Sequence, residues 1–222
     1  MGKTIAIDGP SASGKSTVSK GVAAELGFIY VDSGALYRGV TWQAIRKGID
    51  TKDTAAVVDS MHVAEWDFFV REGASVFSID GDVPVQELRG KDVRESVADV
   101  AAIPEVRKFV VENLQSLENF GSLVMEGRDI GTVVFPNSPY KFYLDADPEE
   151  RAMRRYRELV AAGEDEKAHE VMDSLKKRDK IDSTRKVDPL VVASGAQVVD
   201  STSMTLGEVI QTVIDAVQGK KA

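Results

Sequence analysis

The residues best suited to chemistry lie in a glycine-rich loop near the amino end. The octapeptide GPSASGKS at 9–16 follows the apolar run 4–7 and precedes a helical pattern, which is the wording and the context of a phosphate-binding loop. Such a loop aims backbone N–H groups and a helix N-terminus at phosphate oxygens. We expect Lys15 to lie across the β- and γ-phosphates of a nucleotide and the Ser16 hydroxyl to ligate Mg²⁺.

Three further polar clusters distinguish this chain from other proteins with such a loop. They are DSGALYR at 32–38, EGRDIGTVVFP at 126–136 and RDKIDSTR at 178–185. The first two have a simpler interpretation: Asp32 and Ser33 are suited to an N-cap and turn, and Arg128 with Asp129 to a surface ion pair. The functional interpretation is that their arginines grip phosphate, since a guanidinium can hold it at two points.

The elements that must position these clusters alternate between apolar strands and amphipathic helices. Strands are predicted at 4–8, 28–31, 123–125, 141–144 and 197–199. One helix begins at Lys15 and stops at Gly27, and the last begins at Thr205 with Glu208 completing a capping box. This alternation is typical of a parallel sheet covered on both faces. We expect an α/β fold, a three-layer sandwich of the phosphate-loop NTPase type around a parallel five-stranded core.

Two stretches interrupt the alternation. Residues 63–90 hold alternating runs at 63–70 and 75–79, an Asp80-Gly81 turn and an apolar stretch at 83–85, which predict a small antiparallel unit inserted into the core. Residues 158–177 are charged and alanine-rich, and we interpret them as mobile surface helix and loop. Insertions after core strands commonly build lids over a substrate.

Composition excludes several classes of function. The 222 residues contain no cysteine and carry a net charge of −8. Disulfides, thiolate metal sites and a cysteine nucleophile are therefore excluded, and the charge opposes general binding to nucleic acid or anionic membrane. Every apolar run is shorter than the roughly 18 residues of a membrane span. We expect a soluble, cytoplasmic, monomeric protein that meets phosphate with local arginines.

At its polar clusters the chain resembles the bacterial cytidylate kinases, which are nucleoside monophosphate kinases of the phosphate-loop class. The resemblance runs nearly end to end, and the pairing of DSGALYR with EGRDIGTVVFP carries it. It implies one kinase domain over 1–222, with a monophosphate-binding region at about 37–117 that includes the β-rich insert and a short lid at about 151–178. It also implies transfer of the γ-phosphoryl group of ATP to CMP or dCMP, with Mg²⁺.

The resemblance assigns site residues position by position. It places ATP on the loop residues Gly9, Pro10, Ser11, Ala12, Ser13, Gly14, Lys15, Ser16 and Thr17. It places CMP on Ser33, Arg38, Arg107, Arg128, Asp129, Arg178, Asp182 and Arg185. We expect Lys15, Arg128 and Arg178 to be catalytic.

Physical chemistry supports these roles unequally. Cytosine offers a donor at N4 and acceptors at N3 and O2, so its reader needs a carboxylate beside a guanidinium; Asp129 and Arg107 are the candidates. Arg107 by itself is more typical of a solvated helix residue. We expect Asp182 to accept from a ribose hydroxyl and Arg185 to orient it.

The predicted helix after Asp147 carries three arginines on one face: Arg151, Arg154 and Arg155. They suit contact with the transferring phosphoryl group or pairing with acids such as Glu158, and we favour phosphate contact for at least one of them.

One departure from the family concerns the base. Ala98 occupies a position where the family often has a serine that reaches the base. We still expect CMP to be preferred to UMP, because Asp129 would face an acceptor at O4 of uracil. Two alternatives remain: a sugar or shikimate-like acid kinase, which needs no base reader, and a GTPase switch, which needs an Asn-Lys-x-Asp segment that is missing from the sequence.

Overall fold

The computed structural model describes residues 2–161, 163, 164 and 167–219. Seven strands and eight α-helices occupy this part of the chain. The strands are β1 (Thr4–Asp8), β2 (Ile29–Asp32), β3 (Trp66–Arg71), β4 (Ala74–Ile79), β5 (Leu123–Gly127), β6 (Tyr140–Asp145) and β7 (Gln197–Asp200). The helices are α1 (Lys15–Leu26), α2 (Ser33–Arg46), α3 (Thr54–Val63), α4 (Lys91–Val100), α5 (Pro104–Ser116), α6 (Pro148–Ala161), α7 (Ala168–Thr184) and α8 (Leu206–Gln218).

The strands form one sheet in the order β3-β4-β2-β5-β1-β6-β7. The five strands β2, β5, β1, β6 and β7 run parallel, as predicted for the core. Their register aligns Asp8 with Gly127 and Asp32 with Glu126. Because the carboxyl ends of parallel strands meet at one edge, the segments that follow these residues converge there.

Strand β1 shows how the two faces are covered. Ile5 and Ile7 pack with residues of α1 and α8, whereas Ala6 packs on the opposite face with residues of α2, α3 and α5. All five residues of β1 are buried, and burial of each large aliphatic side chain stabilises the fold by about 1.5–3 kcal/mol. The three-layer α/β prediction is confirmed.

The predicted helix signals are also confirmed. Helix α1 begins directly at Lys15 and is capped by Gly27 in the left-handed region, with φ of 65°. Thr205 and Glu208 form the predicted capping box at the start of α8. Since α1 starts at the end of the glycine-rich loop, its N-terminal N–H groups face the edge where the strands end.

The β-rich insert is a hairpin that extends the main sheet. Strands β3 and β4 pair antiparallel across the turn Glu72-Gly73, whose φ values are 51° and 74°. Strand β4 lies beside β2, with Tyr30 opposite Ala74. The predicted antiparallel unit is confirmed, but it is a continuation of the core sheet.

The third run expected in the insert, at 83–85, is not a strand. A single bridge joins Ile79 to Asp82, and no regular pairing follows it in the described chain. Pro84 lacks the N–H that a ladder needs, so the apolar stretch at 83–85 does not continue the sheet. The first residues of the run at 63–70 are also not strand, because α3 ends at Val63.

The charged segment at 158–177 is more helical than expected. Helix α6 ends at Ala161 and α7 begins at Ala168. The two helices share a small apolar core of Ala152, Leu159, Val171 and Leu175, against which Ala12 of the glycine-rich loop packs. Between the two helices, Gly163, Glu164 and Lys167 are not helical, and residues 162, 165 and 166 lie outside the described part.

Candidate active site

The glycine-rich loop bends from β1 into α1 across the carboxyl edge of the sheet. A Cβ at Gly9 would collide with the carbonyl oxygen of Leu144 on β6, so a close backbone approach requires glycine there. Gly14 has φ of 87°, in the region that glycine adopts without strain. Glycines at the two ends therefore let the loop form a tight cradle beneath the start of α1.

Lys15 lies inside this cradle and is 7% exposed. Its Nζ donates to the carbonyl oxygen of Pro10 at 2.9 Å. Burial, followed by the positive charge of Arg128, lowers the pKa of Lys15 to about 7, and Arg178 acts in the same direction. Three cations so close together repel one another, and an anion between them would relieve that repulsion.

Ser16 and Glu126 form a hydroxyl–carboxylate pair beside Lys15. Ser16 Oγ donates to Glu126 Oε2 at 2.8 Å, and Tyr30 donates from its hydroxyl to Glu126 Oε1. Glu126, at the carboxyl end of β5, is 3% exposed. The two donors fix the carboxylate, which in turn fixes the serine oxygen that faces the loop.

This pair fits a magnesium ion that is held mainly by a nucleotide. Mg²⁺ prefers oxygen ligands and usually takes one or two from the protein, with phosphates and water completing the octahedron. Within the described ranges, no group of three or more His, Cys, Asp or Glu side chains is placed to hold a metal without such help. The chain's own contribution would be Ser16, oriented by Glu126.

A second polar cluster lies where α5 meets the segment after β5. Arg107 on α5 is 2% exposed and donates to Asp129 and, at 2.6 Å, to Asp188 Oδ2. Arg185 Nη2 is 3.6 Å from Asp129 Oδ2 and makes no hydrogen bond in the described structure. Burial raises the pKa of Asp129, and the charge of Arg107 opposes that rise. The guanidinium of Arg107 lies 5.4 Å from the ring centre of Tyr37.

This geometry corrects two simpler interpretations. Arg107 is a buried residue and not a solvated one. Arg128 and Asp129 do not pair with each other: Arg128 Nε donates to Asp182 Oδ2 at 2.7 Å, and Asp129 accepts from Arg107. The orientation of Asp182 by Arg185 is also not observed, since Arg185 Nε donates to the carbonyl oxygen of Asp188.

Helix α7 contributes two residues to the cluster around Lys15. Arg178 is its third cation, and Asp182 is an acid that lies beside Arg128. Burial opposes ionisation of Asp182, but the nearby Arg128 and Arg178 outweigh it and hold its pKa below the usual range. Burial and the charge of Arg128 lower the pKa of Arg178 to about 10. Over the described residues, Arg178 has no hydrogen bond or ion pair, so its donors are available to an anion.

The segment after β2 contributes Ser33 and Arg38. Asp32 caps α2 by accepting from the backbone N–H of Ala35, so the expected N-cap is present. Arg38 donates to Asp32 at 2.6 Å. Ser33 is 3% exposed, and its hydroxyl lies against Gly127, where a Cβ would come within 2.6 Å of it. All eight residues expected to bind the monophosphate therefore line the carboxyl edge of the sheet or the helices above it.

The three arginines of α6 differ in their surroundings. Arg151 is buried and donates to the carbonyl oxygen of Ser11 and to Asp179. Arg154 donates to Ser201 and lies 3.8 Å from a Cβ placed on Gly14. Arg155 pairs with Glu158. For this arginine, pairing with an acid is therefore observed, which is the second of the two roles that the sequence allowed. Arg151 is thus in contact with the glycine-rich loop, and Arg154 lies near it.

Four residues of the site were missed by sequence reasoning: Asp8, Tyr30, Glu126 and Asp188. Both carboxylate oxygens of Asp8 accept backbone N–H groups, from Ile130 and Gly131 at 2.8 Å each, and burial raises the pKa of Asp8 to about 6. Asp8 is the last residue of β1 and Glu126 the last but one of β5, so their position at the carboxyl edge was a usable signal. Asp188 lies in an irregular segment that offers no such signal.

The family model and the sequence relatives agree on one family. A family model described as cytidylate kinase matches residues 5–219. A cytidylate kinase of Caldanaerobacter subterraneus subsp. tengcongensis is 42% identical over 214 residues, which are 96% of this chain and 94% of the relative. A cytidylate kinase of Mycobacterium leprae is 43% identical over 215 residues, 96% of this chain and 95% of the relative.

Among solved structures, a shikimate kinase from Acinetobacter baumannii aligns with 99% of this chain and 94% of its own, at 15% identity and a TM-score of 0.46. A likeness that distant carries no argument about fold or substrate. In the described residues, no helix combines the length and the apolar character that a membrane crossing requires.

Proposed function

The chain belongs to the cytidylate kinase family, and from this premise we propose that it transfers the γ-phosphoryl group of ATP to CMP or dCMP, giving ADP and CDP or dCDP. The observation that carries the proposal is the pairing of a phosphate cradle containing Lys15 with the buried Asp129 and Arg107 across the same edge of the sheet. The cradle suits a triphosphate, and the pair of Asp129 and Arg107 suits a base with an exocyclic amine.

Phosphoryl transfer requires positioning and neutralisation of charge more than covalent help from the protein. Arg128 and Arg178 lie close enough to Lys15 to lower its pKa, and the three cations would hold the donor and acceptor phosphates together at the carboxyl edge. Ser16, oriented by Glu126, would hold Mg²⁺ beside the cradle, and the ion would supply further positive charge to the phosphates. Helices α6 and α7 cover the loop through Arg151, a position from which they would exclude water.

The base would be recognised by the hydrogen-bonding groups of Asp129 and Arg107 that other residues of the protein leave unused. Asp129 Oδ2 accepts from Arg107, while its Oδ1 has no hydrogen bond in the described part of the chain. That oxygen would accept from N4 of cytosine, and unused N–H groups of Arg107 would donate toward N3 and O2. Uracil would place O4 against the carboxylate and N3–H against the guanidinium.

We therefore expect kcat/KM for CMP to exceed that for UMP by about 10²-fold at neutral pH. Coupled assays of ADP release across nucleoside monophosphates measure this ratio. The ratio should fall as the pH is lowered, because the raised pKa of Asp129 makes its carboxyl gain a proton that can be donated to O4. Equal conversion of CMP and UMP would refute the base assignment.

The metal assignment gives a separate prediction at Tyr30. Its hydroxyl is one of two donors that fix Glu126, so Tyr30→Phe should raise the Mg²⁺ concentration for half-maximal rate about tenfold, with KM for CMP unchanged. Tyr140→Phe is the matched control, because Tyr140 starts β6 at the opposite edge of the sheet and its ring lies beside Lys3. An unaltered metal dependence in Tyr30→Phe would remove Glu126 from the metal site.

We also propose that the enzyme works as a cytoplasmic monomer. All residues expected at the two substrate sites belong to a single chain, and ATP, the expected phosphate donor, is found inside cells. Light scattering on a sizing column tests the oligomeric state.

A further inference from the structure

We propose that Asp188 is a positioning residue that determines base specificity: it holds Arg107 so that one oxygen of Asp129 stays free to read the exocyclic amine of cytosine. The inference rests on the proposed cytidylate kinase function and deepens it. Asp188 belongs to none of the motifs that identify the family.

Arg107 is held by three acceptors from different parts of the chain. Nε donates to Asp188 Oδ2 at 2.6 Å, Nη1 donates to the carbonyl oxygen of Ala101 at 3.2 Å, and Nη2 donates to Asp129 Oδ2. A guanidinium has five N–H groups, so two remain for a ligand. Because its stem is buried, Arg107 can turn only if one of these acceptors is lost.

The consequence for Asp129 follows from the preferences of the guanidinium. An arginine beside a single carboxylate tends to pair through both of its oxygens, in a parallel two-bond geometry. With Asp188 holding Nε, Arg107 reaches only Oδ2 of Asp129. Without Asp188, the fork would be free to take both oxygens, and the acceptor for N4 of cytosine would be lost.

The conformation of Asp188 indicates that its surroundings hold it in place. Its φ is 47°, in the left-handed region that non-glycine residues rarely adopt, and such backbone conformations cluster at ligand sites. Its carbonyl oxygen accepts from Arg185 Nε at 2.7 Å. One residue thus fixes both arginines that face Asp129.

The vacant donor of Arg185 is independent support for a ligand at this point. Arg185 Nη2 is buried, has no hydrogen-bond partner in the described structure and lies 3.6 Å from Asp129 Oδ2. A buried donor without an acceptor is costly unless a ligand satisfies it. The cluster of two arginines and two aspartates is neutral overall, which suits an uncharged base.

The test is Asp188→Gly, which removes the carboxylate and also relieves the left-handed φ, so the variant is expected to fold. We expect kcat/KM for CMP to fall about tenfold, with the value for UMP changed far less and KM for ATP unaltered. The ratio of CMP to UMP should therefore fall about tenfold. Asp188→Asn keeps an acceptor and tolerates this φ, and it should retain more of the ratio than Asp188→Gly.

Glu72→Gly is the matched control, since Glu72 has φ of 51° at the exposed β3–β4 turn, away from both substrate sites. It should leave the ratio at the wild-type value. An unchanged ratio in Asp188→Gly overturns the inference, and so does an equal loss for CMP and UMP, which would show a merely structural role. Failure of the unmodified enzyme to convert CMP would instead refute the proposed function; equilibrium binding of CMP and UMP to the same variants would then still test the role of Asp188.

Discussion

Lys15→Ala is expected to lower kcat about 10²- to 10³-fold, which corresponds to about 3–4 kcal/mol of transition-state stabilisation from one preorganised donor. The reason is its place in the cradle: Nζ is held by Pro10 beside Arg128 and Arg178, where the phosphoryl group would pass. Stopped-flow or steady-state assays with saturating ATP and CMP measure the loss. The exposed Lys52→Ala is the control and should retain wild-type turnover.

The same substitution should not destabilise the fold. The pKa of Lys15 is lowered from 10.5 to about 7, so between these pH values the unfolded chain binds more protons than the folded chain. The free energy of unfolding contributed by this residue therefore rises with pH across that window. Lys15→Ala removes that part of the slope, and urea denaturation at pH 7 and pH 9 measures it. Near wild-type turnover in Lys15→Ala would contradict the assignment of the loop.

The sequence was sufficient where local rules decide the structure. The loop at 9–16, the five core strands and the capping box at Thr205 follow from glycine spacing, apolar runs and side-chain capping, all of which act within a few residues. The resemblance to the cytidylate kinases placed Asp129 and Arg107 together at the base, and the two side chains are paired in the structure.

The rest depends on contacts between distant segments. Nothing near Tyr30 indicates that its hydroxyl reaches Glu126, 96 residues away, and Asp188 gains its role only when the chain after α7 returns to α5. The sequence around Arg107 by itself is more typical of a solvated residue for the same reason: burial of a helix residue depends on what packs over it. At 83–85 the apolar stretch forms no strand, because Pro84 lacks the N–H that pairing requires.

The second large effect is expected at Arg178. Arg178→Ala should lower kcat/KM for CMP about 10³-fold, as removal of an arginine from a phosphoryl-transfer site does, with KM for ATP changed much less. Its stability should not fall, because in the described structure Arg178 has no ion pair to lose, and burial with the charge of Arg128 lowers its pKa to about 10. Isothermal titration with CMP and with ATP, alongside kinetics, measures the two sides separately.

Comparing Arg128→Ala with Arg178→Ala separates an effect on CMP binding from an effect on the free energy of unfolding. It should impair the monophosphate side as strongly as Arg178→Ala, but it also leaves Asp182 without the donor to its Oδ2. The side chain of Asp182 is only 14% exposed, so the free energy of unfolding should fall by about 3 kcal/mol. Since both arginines would grip the same phosphate, the double variant should lose less than the product of the two single losses. If either single variant raised the Kd values of ATP and CMP by the same factor, that arginine would not bind the phosphate of CMP specifically.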